Sequence, residues 1–279
     1  MNGVPGDGQE RMLDLHDGPS SYPPIAEYAF LSDCETSALV APSGNIEWLC
    51  LPRPDGPSVF GSILDRSAGS FRFGPTGVTV PAGRRYLPGT LVLETTWRTR
   101  SGWIVVRDAL CIGPWYHQGR RSATHRRPPT DDEAEHMLLR TVMCIVGHVE
   151  LSLDCEPVFD YGRTEAQWEY AGQSYDDAMA RGGPDDVPLR LVTDLRVGFE
   201  GRGAHARTTL HEGVKAFVAL SWPRSQTAAS RQSWTERKPP ADVDQAFERM
   251  ERTAAFWRAG STRANSPSTR GSPISSAAR

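Results

Sequence analysis

Apolar and polar residues alternate in short runs along most of this 279-residue chain, and Gly, Pro, Asn and Asp separate the runs. A period of two is the signature of a half-buried strand. Residues 37–41 and 46–51 are two such runs, with Pro42-Ser43-Gly44-Asn45 between them. Proline presets a turn-compatible φ, and Gly and Asn tolerate positive φ, so the two runs are predicted to pair as a hairpin. Pro52-Arg53-Pro54-Asp55-Gly56-Pro57 follows, and its prolines exclude ladder pairing and predict a stiff exposed loop. Ser58 is then expected to cap a short helical turn over residues 59–64.

The alternation resumes at residues 69–74, 91–97 and 103–110, the last two joined by Ser101-Gly102 as a second hairpin. Runs at 137–146 and 149–155 are separated by Gly147-His148, which reads as a break between two strands. Further strand candidates are 167–170, 189–193, 195–199, 208–210 and 214–221, with 178–188 read as a Gly/Pro/Asp-rich loop. Serial short strands without intervening helical periods predict an all-β fold, an antiparallel β-sandwich and not a βαβ architecture.

Only near the end does the period lengthen. Within residues 242–258, Val243, Ala246, Phe247, Met250, Ala254 and Trp257 recur at steps of three and four, which predicts a C-terminal amphipathic helix. The ends have the composition of disordered segments: residues 1–21 are rich in Gly, Asp and Pro, and 260–279 hold serines and no aromatic residue. The expected organisation is a flexible arm (1–21), a sandwich (22–240), a linker helix (241–259) and a disordered tail (260–279).

Composition narrows the partners more than the fold. Net charge −3 and a pI near 6.2 leave no electrostatic footprint for nucleic acid. The basic cluster Arg120, Arg121, Arg126 and Arg127 in the apolar-poor stretch 117–132 reads as solvated surface charge, with phosphate binding as the alternative. The five cysteines form no C-x-x-C pair, so reduced and mostly buried thiols are expected instead of a disulfide framework or a metal site. No apolar run is long enough to cross a membrane and the N-terminus has no apolar core of a signal peptide, so a cytoplasmic location is expected.

No nucleophile elbow, phosphate loop or zinc-protease motif is present, no histidine pair has ligand spacing, and no cofactor is implied. Carboxylates with some structural setting are Asp33, Glu35, Glu47, Asp55, Asp108 and Asp160. The stiff loop presenting Arg53 and Asp55 beside a hairpin that carries Trp48 suits a docking surface or the rim of a sugar pocket. The alternative is an internal Arg53–Asp55 pair that only shapes the loop. Trp48, Trp97, Trp103 and Trp115 would line a sugar groove if exposed, or the core if they alternate inward.

The words YAFLSDCETSALV, IEWLCLPRPDGPSVFGSILD and RRYLPGTLVLETTW, in that order, resemble the N-terminal domain of glycoside hydrolase family 15, in its bacterial trehalase and glucoamylase-like branch. The resemblance is close over residues 24–112 and looser to about 258. Family members commonly have Asp where Glu47 stands and Phe-Asp-Ser where Pro54-Asp55-Gly56 stands. The resemblance implies a supersandwich-like domain that supports a helical (α/α)6 barrel, in which both catalytic glutamates of an inverting mechanism reside. No segment of this chain matches the barrel, so no catalytic residue is carried over. The implied role is a non-catalytic domain, inactive alone, whose partner is a catalytic barrel missing from this chain or on another chain, with alpha-glucoside sugars as candidate ligands. The family pattern stops near Ala259, as truncation or a changed reading frame would produce. The rival reading is an independent carbohydrate-binding or protein-interaction module.

Overall fold

The computed structural model describes residues 22–112, 136–236 and 238–264. The expected arm 1–21, the stretch 117–132 with its basic cluster, and the tail beyond 264 lie outside them. Strands β1 (Ala29–Ser32), β2 (Ser37–Val40), β3 (Asn45–Cys50), β4 (Ser58–Phe60), β5 (Ser70–Pro75), β6 (Gly83–Tyr86), β7 (Leu93–Arg98) and β8 (Gly102–Leu110) precede the longest strand, β9 (Met137–Glu156). A single turn, α1 (Phe159–Gly162), leads to β10 (Thr164–Glu165), β11 (Gln167–Tyr170), β12 (Asp177–Arg181), β13 (Leu189–Thr193), β14 (Gly198–Glu200), β15 (Gly203–His211) and β16 (Lys215–Ser221). Helices α2 (Ala228–Glu236) and α3 (Val243–Ala264) follow.

All strand pairings between these elements are antiparallel, as the serial short strands predict. One sheet runs β1-β2-β3-β5-β9-β15-β14, with β4 also on β3; the other runs β6-β7-β8-β9-β16-β13-β12-β11. β9 belongs to both. Its first half pairs with β8 and β16, and its second half with β5 and β15. Residues 137–146 and 149–155 are therefore one strand with a bend, where the sequence reads as two strands with a break. At the bend Gly147 has φ 71°, and a Cβ there would stand 2.2 Å from the Ser101 carbonyl oxygen, so only glycine lets the strand change sheets.

Leu31, Val40, Ile46, Phe71 and Phe73 from the first sheet meet Leu93, Trp97, Ile104, Val106, Leu138 and Val142 from the second in one buried core. The outer face of the second sheet is also apolar. Leu87, Val92, Ala109, Leu139 and Phe217 pack there against Ala246, Met250 and Ala254 of α3, three of the residues that the helical period places on one side. The stripe on α3 is thus covered by the sandwich itself.

The structure corrects four local expectations. Residues 58–60 form β4 and not the start of a helical turn, because Val59 and Phe60 are both buried when paired with β3, a gain of about 1.5–3 kcal/mol per side chain. Residues 177–181 of the expected 178–188 loop are strand β12, whose Ala178, Met179 and Ala180 are buried; alanine and methionine give little strand signal. A second helix, α2, precedes α3, its buried Trp234 donating from Nε1 to Ser221 Oγ at 3.2 Å. Finally, α3 runs past residue 258 to Ala264, through Gly260, Ser261 and Thr262, whose weak helix propensity and lack of an apolar period give no sign of it in the sequence.

One charged side chain joins the two sheets. Arg140, on β9, is fully buried, and its Nε donates to Asp108 Oδ1 of neighbouring β8 at 2.8 Å. Its Nη1 donates to the Phe71 carbonyl at 2.7 Å and its Nη2 to the Gly44 carbonyl at 2.6 Å, both in the opposite sheet or its turns. The guanidinium also lies 5.0 Å from the Phe71 ring centre. A buried arginine is tolerated only when paired and hydrogen-bonded in this way. A second set of ion pairs fastens α3: Glu94 accepts from Arg85 at 2.6 Å and from Arg107 at 3.0 Å, and Arg107 also reaches Glu251 of α3 at 3.1 Å.

Two outcomes follow from these ties. Arg140→Met, which leaves a buried carboxylate and two carbonyls without their donor, is expected to lower stability by about 3–5 kcal/mol in urea titration, and Asp108→Asn by less. Burial alone would raise the Glu94 carboxyl, but hydrogen bonds and charge from Arg85 and Arg107 outweigh it and hold the group below its ordinary 4.5. A lowered pKa contributes stability that is complete above 4.5 and fades as the pH falls through the folded-state value. Glu94→Gln is therefore expected to lower the melting temperature at neutral pH, with a difference that shrinks in acid.

Candidate functional site: the loop-bearing end of the sandwich

β3 runs straight into the loop of residues 51–57, closed by a hydrogen bond from Leu51 N to the Pro57 carbonyl at 3.0 Å and another from Gly56 N to the Arg53 carbonyl at 2.9 Å. A Cβ on Gly56 would lie 2.2 Å from the Leu51 carbonyl oxygen, so the serine common in the resembled family does not fit this loop path. Tyr161 of α1 donates from its hydroxyl to the Gly56 carbonyl at 3.2 Å.

Arg53 and Asp55 pair with each other at 3.2 Å, with 65% and 73% of their side chains exposed. A pair this open contributes about 0–1 kcal/mol, so its effect lies in which charges it presents more than in stability. Trp48 is half-buried on β3 opposite Leu39. Of the other tryptophans considered from sequence, Trp97 is core, Trp103 is 40% exposed beneath the Arg98 guanidinium, and Trp115 lies outside the described residues.

The β1–β2 turn lies beside this loop, since Thr36 Oγ1 donates to the Pro52 carbonyl at 3.3 Å. Asp33 Oδ1 accepts from the backbone N–H groups of Glu35 at 2.9 Å and Thr36 at 2.6 Å, which fixes the turn. Burial pushes the Asp33 carboxyl above its usual range despite those bonds. Glu35 takes Arg224 at 3.1 Å and faces buried His136 at 3.5 Å, and the His136 ring stands 6.1 Å from that of Trp222.

A second polar group is built on the middle of β3. Glu47, 4% exposed, accepts from the Tyr28 hydroxyl at 2.5 Å and from Arg66 Nη1 at 2.7 Å, and the Arg66 guanidinium lies 4.1 Å from the centre of the Tyr22 ring. Burial first, and then the hydrogen bond and charge of Glu47, push the Tyr28 phenol from 10 up to about 12. The sequence carries one local sign of this group: a carboxylate inside the apolar run of a buried strand needs a partner.

Neither Tyr28 and Arg66 nor Arg224 has such a sign, and Arg224 meets Glu35 across 189 positions.

An inverting glycosidase holds two carboxyls across a cleft with a water between them. The six carboxylates considered from sequence are engaged otherwise. Asp33 is 3% exposed and caps a turn, Glu47 and Asp108 are buried against arginine, and Glu35, Asp55 and Asp160 pair with Arg224, Arg53 and Arg163. A raised carboxyl such as Asp33 is a functional hint only where substrate can reach it. Among the described residues no group of three or more His, Cys, Asp or Glu is placed to hold a metal ion, and no helix is long and apolar enough to cross a membrane. The five cysteines are thiols; Cys34 is exposed and the other four are buried, burial pushing the Cys50 thiol up to about 11.

Residues 15–108 match the family described as "Trehalase-like, N-terminal". The chain is 56% identical over 240 residues to a trehalase of Mycobacterium tuberculosis (strain ATCC 25618 / H37Rv), a match that covers 85% of this chain and 34% of that protein. A trehalase of Mycolicibacterium smegmatis (strain ATCC 700084 / mc(2)155) matches with the same identity and coverage. Trehalase 1 of Sulfolobus acidocaldarius is 40% identical over 84 residues, 30% of this chain and 15% of that protein. The chain spans about a third of the length of the first two relatives. Among solved structures, a 4-alpha-glucanotransferase from Thermococcus litoralis overlays 70% of this chain and 37% of its own at a TM-score of 0.32 and 7% identity, too distant a likeness to carry an argument.

The Tyr28–Glu47 contact is open to direct measurement. Ultraviolet difference titration of the chain against Tyr28→Phe is expected to show Tyr28 ionising near pH 12, and Glu47→Gln to bring that titration down towards 10. Ionisation of Tyr28 near 10 in the unsubstituted chain would show that the contact does not form.

Proposed function

We propose that this chain, whose residues 15–108 carry a trehalase-like N-terminal domain, is the non-catalytic β-sandwich part of a family 15 glycoside hydrolase of the trehalase branch. In that reading it supports a catalytic helical barrel that hydrolyses an alpha-glucosidic bond and has no hydrolytic activity of its own. The observation that carries it is the match itself, 56% identical over 85% of this chain yet only 34% of each mycobacterial trehalase. The engagement of Asp33, Glu35, Glu47, Asp55, Asp108 and Asp160 in a turn or in ion pairs supports the same reading. A cytoplasmic site suits five cysteines that form no disulfide. The loop bearing Arg53 and Asp55 serves as a docking or rim element, with Trp48 on the adjoining strand.

One observation favours a second reading, a carbohydrate-binding module. Tyr170 and Tyr175, 38% and 50% exposed, meet edge-on at 5.1 Å, and Tyr170 stacks on Phe199 at 4.3 Å, an aromatic surface against which a sugar ring could lie.

The purified chain is expected to release no glucose from trehalose, maltose or soluble starch above a protein-free control. Release abolished by Glu47→Gln or Asp55→Asn would make the chain an enzyme in its own right. Calorimetric titration separates the two readings: saturable heat with trehalose or malto-oligosaccharides, lost in Tyr170→Ala, would favour the module.

A further inference from the structure

We propose that the end of the sandwich formed by residues 33–36, the loop 51–57 and Arg224 is the surface on which the catalytic part of the longer relatives sits. The inference rests on the supporting-domain reading and adds the place of contact and its chemistry.

An unbroken line of contacts joins this end to α3. Thr253 Oγ1 accepts from Ile112 N at 3.3 Å, the next residue back, Cys111, donates its N–H to the Met137 carbonyl at 2.8 Å, and His136 faces Glu35. Thr36 then reaches Pro52 and the loop. From Thr253 the helix continues to Ala264, which at about 1.5 Å per residue is roughly 16 Å further, and residues 258–260 are exposed. In a relative built on the same sandwich and helix, the polypeptide that follows α3 therefore starts beyond this end. The mycobacterial trehalases have about two thirds of their length outside the match.

The surface itself suits a folded polypeptide. Arg53, Asp55 and Arg224 expose 65%, 73% and 48% of their side chains, and Glu35 exposes 20%, so two charges of each sign are set out along the rim. Alternating charges of this kind set register and orientation in an interface. Tyr161, 51% exposed beside Gly56, supplies an aromatic anchor. Three prolines stiffen the loop, so little ordering entropy is lost on contact.

The competing surface is the apolar patch of Trp103, Ile145, Val146 and Val214, which are 40–53% exposed. It lies at the opposite end of α3, because Lys215, next to Val214, contacts Asp244 at 3.8 Å and the Phe247 ring at 4.8 Å. A domain following α3 would have to double back along the helix to reach it.

The test mixes the full chain with a separate polypeptide comprising the C-terminal two thirds of the M. tuberculosis trehalase, and follows binding by calorimetry and sedimentation. Arg53→Asp/Asp55→Arg together with Glu35→Arg/Arg224→Glu keeps each internal pair but inverts every charge presented, and is expected to weaken binding about tenfold or more. Arg53→Asp/Asp55→Arg alone, confined to an exposed loop, guards against misfolding and is expected to weaken it in the same direction. Val146→Asp/Val214→Asp is expected to leave binding within about twofold. Loss of binding with the Val146/Val214 variant but not with the charge inversions would overturn the surface and leave the supporting-domain reading standing. No binding by the unsubstituted chain to that polypeptide, once its circular dichroism and cooperative melting show it to be folded, would overturn both. A chain that instead forms concentration-dependent dimers, whose formation blocks binding of the trehalase polypeptide and is lost in Tyr161→Asp, would show the occupant to be a second copy.

Discussion

A guanidinium buried between two sheets sets the terms for the rest of the molecule. Arg140 has lost all contact with water, and its retained charge requires an anion and carbonyl acceptors at fixed distances. Asp108 supplies the anion from the neighbouring strand, and the carbonyls of Phe71 and Gly44 come from the facing sheet. Apolar contacts such as those of Phe71 and Trp97 tolerate small sliding of one sheet over the other. The three directional bonds of Arg140 do not, and they seat the turn between β2 and β3 at one distance from the second sheet.

That seating carries outward to the loop-bearing end. With the turn at Gly44 fixed, β3 leaves the core in one direction, placing Glu47 within reach of Tyr28 and Arg66 and delivering residues 51–57 beside the β1–β2 turn. On the other side of the second sheet, α3 is held by apolar packing and by the Glu94–Arg107–Glu251 ion pairs. The molecule thus has three layers, and a relay of contacts from Thr253 through Ile112, Met137, His136 and Glu35 links the helix to the end that bears the loop 51–57.

Much of this architecture is legible in the sequence wherever one face is buried and the other wet. The hairpin around Pro42-Ser43-Gly44-Asn45, the strands β7 and β8, and the face of α3 carrying Ala246, Met250 and Ala254 all follow from period and turn chemistry. β12 does not, since alanine and methionine announce a strand weakly, and β4 does not, since three residues are too few to show a period. Gly147 shows where a strand is interrupted but not that the same strand continues in another sheet. At the loop-bearing end the sequence shows Arg53, Asp55 and Trp48, because proline crowding and a tryptophan are local signals. Arg224 on Glu35 and Arg66 on Glu47 are products of tertiary folding, and nothing in their own neighbourhoods announces them.

The sharing of β9 between the sheets also bears on how the chain is made. While it emerges from the ribosome, β9 has its earlier partners β5 and β8 already available, but β15 and β16 are encoded some fifty to sixty residues later. At about 5–20 residues per second, that gap lasts several seconds, during which both halves of the central strand offer an unpaired edge. The nascent chain therefore passes through a stage in which its two sheets exist only as halves, each open along the same strand, and that stage is where a chaperone or a neighbouring nascent chain would meet it.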